Sequence, residues 1–136
     1  MFRKQLGIVA LALLVALSGG CALGGKKPDL PPEDAVKIRA QAWADAVMAR
    51  NVEAAYGFTT PNYRDFASAQ RYAAEVAGSL LWTAIEVESV ECDEDVCAVR
   101  LMIDYKFKKY GIKNSRVAEY KWLQLAGQWW LYVPAR

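Results

Sequence analysis

The one acid that the sequence sets on a regular strand as a candidate general base is Asp104, within Val99-Arg100-Leu101-Met102-Ile103-Asp104-Tyr105-Lys106. A buried carboxylate with a phenol beside it can take a proton from a carbon acid, and Tyr56 and Tyr63 are the candidate hydrogen-bond donors. The competing reading is a solvated strand face, because Arg100, Met102 and Lys106 share Asp104's side and either cation can pair with it. Other reactive groups are few. The chain has no histidine, which excludes histidine-dependent triads, His-Asp dyads and His-ligated metals. No nucleophile elbow, phosphate loop or metal-ligand spacing occurs, so neither a cofactor nor a metal is expected.

The cysteines carry the other chemistry. Cys92 and Cys97 enclose Asp93-Glu94-Asp95-Val96, four residues where a redox motif has two, and three carboxylates there raise a thiol's pKa instead of activating it. A disulfide stapling a hairpin in an oxidising compartment is the better reading. So short a loop gains little chain entropy, and its use is to hold register. The acids do not make a calcium loop, since the glycine and the distant glutamate are missing. Three cysteines less one pair leave Cys21 over.

Cys21 closes a leader. Met1-Phe2-Arg3-Lys4 is basic, Leu6 to Leu17 is apolar apart from Gly7, and Ser18-Gly19-Gly20 are small. This is the layout of a signal peptide, too short for a comfortable membrane span of about 20 residues. Leu17-Ser18-Gly19-Gly20-Cys21 resembles the lipobox of bacterial lipoproteins, with the leucine one place further from the cysteine than usual. The resemblance implies removal of residues 1–20, acylation of Cys21 and, because Ala22 follows the cysteine, an outer-membrane anchor with the domain facing the periplasm. Residues 21–31, with two glycines and two lysines, read as a tether. Residues 32–136 read as one domain.

Composition agrees. The 136 residues are 54% hydrophobic and 12% aromatic, ample for a core. Removing Arg3 and Lys4 from the 17 basic side chains leaves them equal in number to the 15 acids. A near-neutral domain argues against the broad basic surface that nucleic-acid phosphates require, so no nucleic-acid partner is expected, while local basic clusters stay open.

Two or three helices should precede a sheet. Pro31-Pro32-Glu33-Asp34 starts the first. Ala35, Ile38, Ala42, Ala46 and Ala49, with Val36, Trp43 and Val47 beside them, give it a wide apolar stripe, and Arg50-Asn51 closes it. Val52 to Phe58 is a short helical turn ended by Thr59-Thr60-Pro61. Phe66, Ala69, Tyr72 or Ala73, Val76 and Leu80 mark a third helix from Asn62 or Ser68 to Gly78. The long alanine-rich helix followed by Ala55-Tyr56-Gly57-Phe58-Thr59-Thr60-Pro61-Asn62-Tyr63-Arg64 resembles the nuclear transport factor 2-like domains of bacterial lipoproteins. That resemblance implies an α+β fold, helices packed on a curved four-stranded antiparallel sheet that makes a cone with a pocket. It implies shape rather than activity.

The strands are read as Trp82 to Cys92, Val96 to Phe107, Val117 to Leu125 and Gln128 to Val133, with Ala126-Gly127 as the last turn. Val99, Leu101, Ile103, Tyr105 and Phe107 form one face. The first strand changes phase between Val87 and Val90, and one inserted residue near Ser89 repairs it: with Cys92 opposite Cys97, Val90 meets Val99, Val87 meets Leu101 and Ile85 meets Ile103. Lys106 to Arg116, with five basic side chains, reads as a solvated connection or as a basic lip touching anionic lipid or a partner. Trp122, Trp129 and Trp130 cannot all face one way, so Trp130, with Trp43, Tyr56, Tyr63 and Trp122, is a candidate for a pocket or contact surface. The expected function is a non-catalytic binding domain for an envelope protein, a cell-wall fragment or an apolar ligand. An isomerase or dehydratase built on Asp104, and an accessory of a secretion or pilus machine, are the alternatives.

Overall fold

A computed structural model of the protein describes residues 29–135. The expected leader, Cys21 and most of the expected tether lie outside those residues. Helix α1, Pro32–Met48, starts with proline in its first turn, where the missing N–H has no helical partner to lose, and Glu33 and Asp34 favour the positive end of the dipole. Its buried face is Val36, Ala40, Trp43, Ala44 and Val47. That face is rotated from the expected row: Ile38 is 60% exposed, and Ala42 and Ala49 face water. Trp43 explains the rotation, because its ring must be covered and its indole N–H needs a partner. The N–H donates to the Tyr72 hydroxyl at 2.8 Å, and Ala40 and Ala44 beside it leave room for close approach to the sheet.

Three short helices follow, each capped by the side chain before it: α2 Val52–Tyr56 by Asn51, α3 Pro61–Phe66 by Thr60 and α4 Ala69–Glu75 by Ser68. A 3-10 turn, Ala77–Leu81, leads into the sheet. The expected third helix is thus α3, α4 and that turn, since Ala67 is extended and Ser68 starts a new cap. Among the described residues four helices stand where two or three were expected.

The sheet is antiparallel in the order β1-β2-β3-β4, curved and unclosed, with β1 Trp82–Asp93, β2 Val96–Phe107, β3 Ile112–Leu125 and β4 Gln128–Leu131. Cys92 pairs with Cys97, Val90 with Val99, Val87 with Leu101 and Ile85 with Ile103, and the irregularity lies between Val87 and Ser89, as the apolar phase requires. A second irregularity, between Trp82 and Ala84, sets Trp82 opposite Tyr105. Two boundaries differ from expectation. β3 begins at Ile112, so most of the basic stretch is strand: Lys106 pairs with Lys113 and Phe107 with Ile112, and the turn between them closes by Tyr110 and Gly111 N–H donating to the Phe107 carbonyl. β4 stops at Leu131, where the edge is taken by Thr59 in a parallel bridge; Leu131 N–H donates to Phe58 and Thr60 N–H to Leu131.

Val99, Leu101 and Ile103 are buried to within 1%, and with Cys97, Trp122, Trp129 and Leu131 they meet α1 in one core. Alternation along β2 and β3 chooses these residues, and the helices cover them.

Candidate functional site

The structure places an aromatic cleft of about 680 Å³ between α4, the 3-10 turn, β3 and the segment after β4. Each wall has a local cause. α1 contributes Trp43, whose ring lies 5.2 Å from that of Tyr120 on β3. α4, started by Ser68, contributes Tyr72, which fixes the Trp43 ring through its hydroxyl. The irregularity at the start of β1 turns in Trp82, and the Arg116 guanidinium stands 5.8 Å from that ring, within cation–π reach. Tyr132, Val133 and Pro134 complete the wall, held by Tyr132 N–H donating to the Lys121 carbonyl.

Electrostatics divide the cleft. Burial pushes the Tyr72 phenol well above its ordinary value, only partly offset by the hydrogen bond from Trp43. Burial likewise raises Tyr120, with Arg116 acting the other way. Both phenols therefore stay neutral and act as hydrogen-bonding groups. Arg116, Lys121, Glu75 and Glu119 supply the charges among the lining residues. An aromatic floor with charged groups around it suits a ligand with an apolar or flat face and polar substituents.

Of the residues singled out from sequence, only Trp43 lines this cleft. Tyr56 and Tyr63 form a layer with Tyr72, their rings 6.0 and 6.2 Å from it. Tyr56 donates to the Ala67 carbonyl at 2.6 Å and tethers the α3–α4 junction. Tyr63 is 4% exposed, its hydroxyl buried without a hydrogen-bond partner. Trp122 is core, with its ring 6.4 Å from Phe58. Trp130 is half-buried, with the Arg64 and Arg39 guanidiniums 4.9 and 5.4 Å from its ring. Neither tryptophan lines the cleft.

Asp104 is not a cleft base. It lies on the strand face opposite Ile103, half-buried, and accepts a hydrogen bond from the Ser115 hydroxyl across the ladder. Tyr56 spends its hydroxyl elsewhere. Alternation alone places Asp104 outside, since its neighbours Ile103 and Tyr105 point to the packed side. Nor does it pair with Arg100, which meets Glu88 at 3.6 Å. Cys92 and Cys97 are joined, with Cα atoms 4.0 Å apart. No cluster of His, Cys, Asp or Glu among the described residues could hold a metal ion, and none of their helices is long and apolar enough to cross a membrane.

Tyr72, Trp82, Tyr120 and Arg116 went unrecognised. Tyr120 was readable, as it is two residues before Trp122 and shares its face. Trp82 was hidden by two changes of phase in β1.

No protein-family model matches the chain, and no curated protein matches it. Solved structures do. An NTF2-like transpeptidase from Campylobacter jejuni superposes with a TM-score of 0.54 at 10% identity, covering 73% of this chain and 98% of that one. A SEC-C motif containing protein from Psychrobacter arcticus gives 0.58 at 12% identity over 75% of this chain and 60% of the other, so this chain spans about 60% of the latter's length. At such identities the likeness speaks for architecture alone: the four helices, the curved open sheet and the cleft between them make this an α+β domain of the nuclear transport factor 2-like fold.

Proposed function

We propose that the protein is an envelope lipoprotein, held at the outer membrane by acyl chains on Cys21, whose periplasmic domain binds a ligand in the Trp43–Tyr120 cleft without transforming it. The address is supported by the basic start, the apolar run and Leu17-Ser18-Gly19-Gly20-Cys21. The observation that carries the binding reading is the cleft, whose aromatic walls are held in place by contacts within the protein. Catalysis is less well supported. Asp104 faces away, and both cysteines of the domain are bonded to each other.

The ligand class favoured is a cell-wall fragment or an apolar molecule carrying an acidic group, the apolar face against Tyr120, Tyr132 and Val133, with the buried Trp43 and Trp82 rings behind them, and the acid toward Arg116. Gly78 gives a test: it lines the cleft, and a Cβ added there meets nothing within 4 Å, so a larger side chain can start without a clash. The full chain in lipid nanodiscs is titrated with soluble cell-wall disaccharide-peptides and, separately, with a long-chain fatty acid, read by tryptophan emission. A saturable change that Gly78→Phe abolishes, with the circular dichroism unchanged, is expected. No change with either probe, together with specific recovery of secretion or pilus components from solubilised envelope, would move the assignment to a protein-docking accessory. Cys21→Ser should release the protein from the membrane fraction in a high-salt wash, which also removes any electrostatic contact; retained acylation in that variant would refute the anchor.

A further inference from the structure

The hairpin joining β2 and β3 runs past the helical cover. Phe107, Tyr110, Ile112 and Val117 are 43, 66, 55 and 45% exposed, though a pleated sheet would be expected to bury such residues or replace them. Phe107 and Ile112 are directly opposed in the ladder and so share one face. Lys106 and Lys113 are likewise directly opposed, a like-charge pair that disfavours the hairpin unless an anion lies between them. Lys108 and Lys109 sit in the turn, Lys109 with its ammonium 5.4 Å from the Tyr110 ring. From residue 105 to residue 117 the chain has five basic side chains and no acidic one. At the other end of β2, along β1 and the β1–β2 turn, the balance reverses: residues 86–95 carry Glu86, Glu88, Glu91, Asp93, Glu94 and Asp95 and no cation. An antiparallel pair puts these two turns at opposite ends, so the sheet is electrically polarised along its length.

We infer that the β2–β3 hairpin tip docks on an anionic phospholipid surface, with Phe107, Tyr110 and Ile112 entering the interface and the lysines meeting the headgroup phosphates. Charge complementarity and the apolar apex together select this occupant. A tyrosine at headgroup level, apolar residues beyond it and lysines whose stems lie along apolar surface while their ammoniums reach outward form the pattern that water–lipid interfaces favour. An acidic protein would be met by the lysines but gives no use to three bare apolar side chains at a hairpin apex. The headgroup phosphates also resolve the opposed Lys106 and Lys113. The acidic β1–β2 turn then points away from the bilayer, so the contact orients the domain as well as holding it.

This contact is independent of the cleft and of the acyl anchor, and the test separates them. The full chain is mixed with preformed vesicles of phosphatidylcholine, or of phosphatidylcholine and phosphatidylglycerol at a ratio of about 7:3. An amine-reactive reagent then reports each lysine's accessibility. Labelling of Lys108 and Lys109, relative to Lys37 and Lys121, should fall about fivefold or more on the anionic vesicles only, and recover in high salt. The Cys21→Ser chain should keep that protection. Lys108→Glu with Lys109→Glu should remove it at Lys106 and Lys113, leaving the circular dichroism unchanged, since the turn lies outside the core. Equal labelling on the two kinds of vesicle overturns the inference. So does protection that occurs in whole envelopes but on no vesicle, which would assign the tip to a protein.

Discussion

Strands β2 and β3 obey one alternation along their whole length and end in opposite conditions. From Cys97 to Ile103 the inward side chains are dry, with Cys97, Val99 and Ile103 at 0% exposure. Four residues later the same face presents Phe107 to water. The pleat is unchanged between the two, and so is the residue type. What changes is the cover: α1 and Trp43 reach the first half, whereas Phe107 and Ile112 stay about half exposed, with the Tyr105 ring 5.5 Å from that of Phe107. Alternation decides which face a side chain joins; only a second layer decides whether that face is buried. The covered half became a core and a cleft, and the uncovered half a surface free to meet something else.

The largest test removes the cover. Trp43→Ala empties the most deeply placed ring of α1, and its loss should cost about 3–5 kcal/mol in denaturant unfolding, enough to leave a domain of this size marginal. Tyr72→Phe is milder. It leaves the Trp43 N–H buried without an acceptor, a penalty of roughly 1–3 kcal/mol, and it changes the pH dependence. Burial raises the phenols of Tyr72, Tyr120 and Tyr63 above their ordinary value of 10, so the fold favours their neutral forms. That contribution is present in full below about pH 10 and is lost as the pH climbs through the raised folded values. Thermal melts from pH 8 to pH 12 should show a fall in Tm above pH 10 that is shallower in Tyr72→Phe.

Cys92→Ser with Cys97→Ser opens the staple at the other end of the sheet. The six-residue ring predicts a loss of about 2 kcal/mol from chain entropy, with the Val90–Val99 pairing still visible in amide exchange because side-chain phase holds the register. Ala126→Gly runs the other way. Ala126 and Gly127 both have positive φ, 51° and 76°, as the turn between β3 and β4 requires, and relieving the alanine should gain up to about 1 kcal/mol. The smallest effect belongs to the bare end: Phe107→Ser with Ile112→Thr should change stability by less than about 0.5 kcal/mol. A larger loss would show that the hairpin tip is supported by the fold after all and would erase the contrast between the halves.

Much of the fold was legible for reasons that particular residues make plain. Val99, Leu101 and Ile103 announced a strand face, the phase change between Val87 and Val90 required an inserted residue, and Cys92 opposite Cys97 gave the register to which both had to conform. The helices were less legible. Trp43's need for a buried partner rotated α1 away from the row containing Ile38, and Ser68's ability to cap a new helix divided what looked like one. The site was least legible. Asp104 was visible because it is an acid in a strand, whereas Trp82, Tyr72 and Tyr120 come from three separate elements and have no common spacing.

By itself the chain determined its own local geometry: where strands alternate, which cysteines meet and where helices start. These are short-range matters, settled by the reach of a few residues and the period of the backbone. Tertiary structure alone decided which half of the sheet is covered and that Trp43, Trp82 and Tyr120 share a cleft while Asp104 stands outside it. Those outcomes depend on where α1 crosses the sheet, and that crossing is set by the combined packing of residues far apart in the chain, which no local pattern encodes.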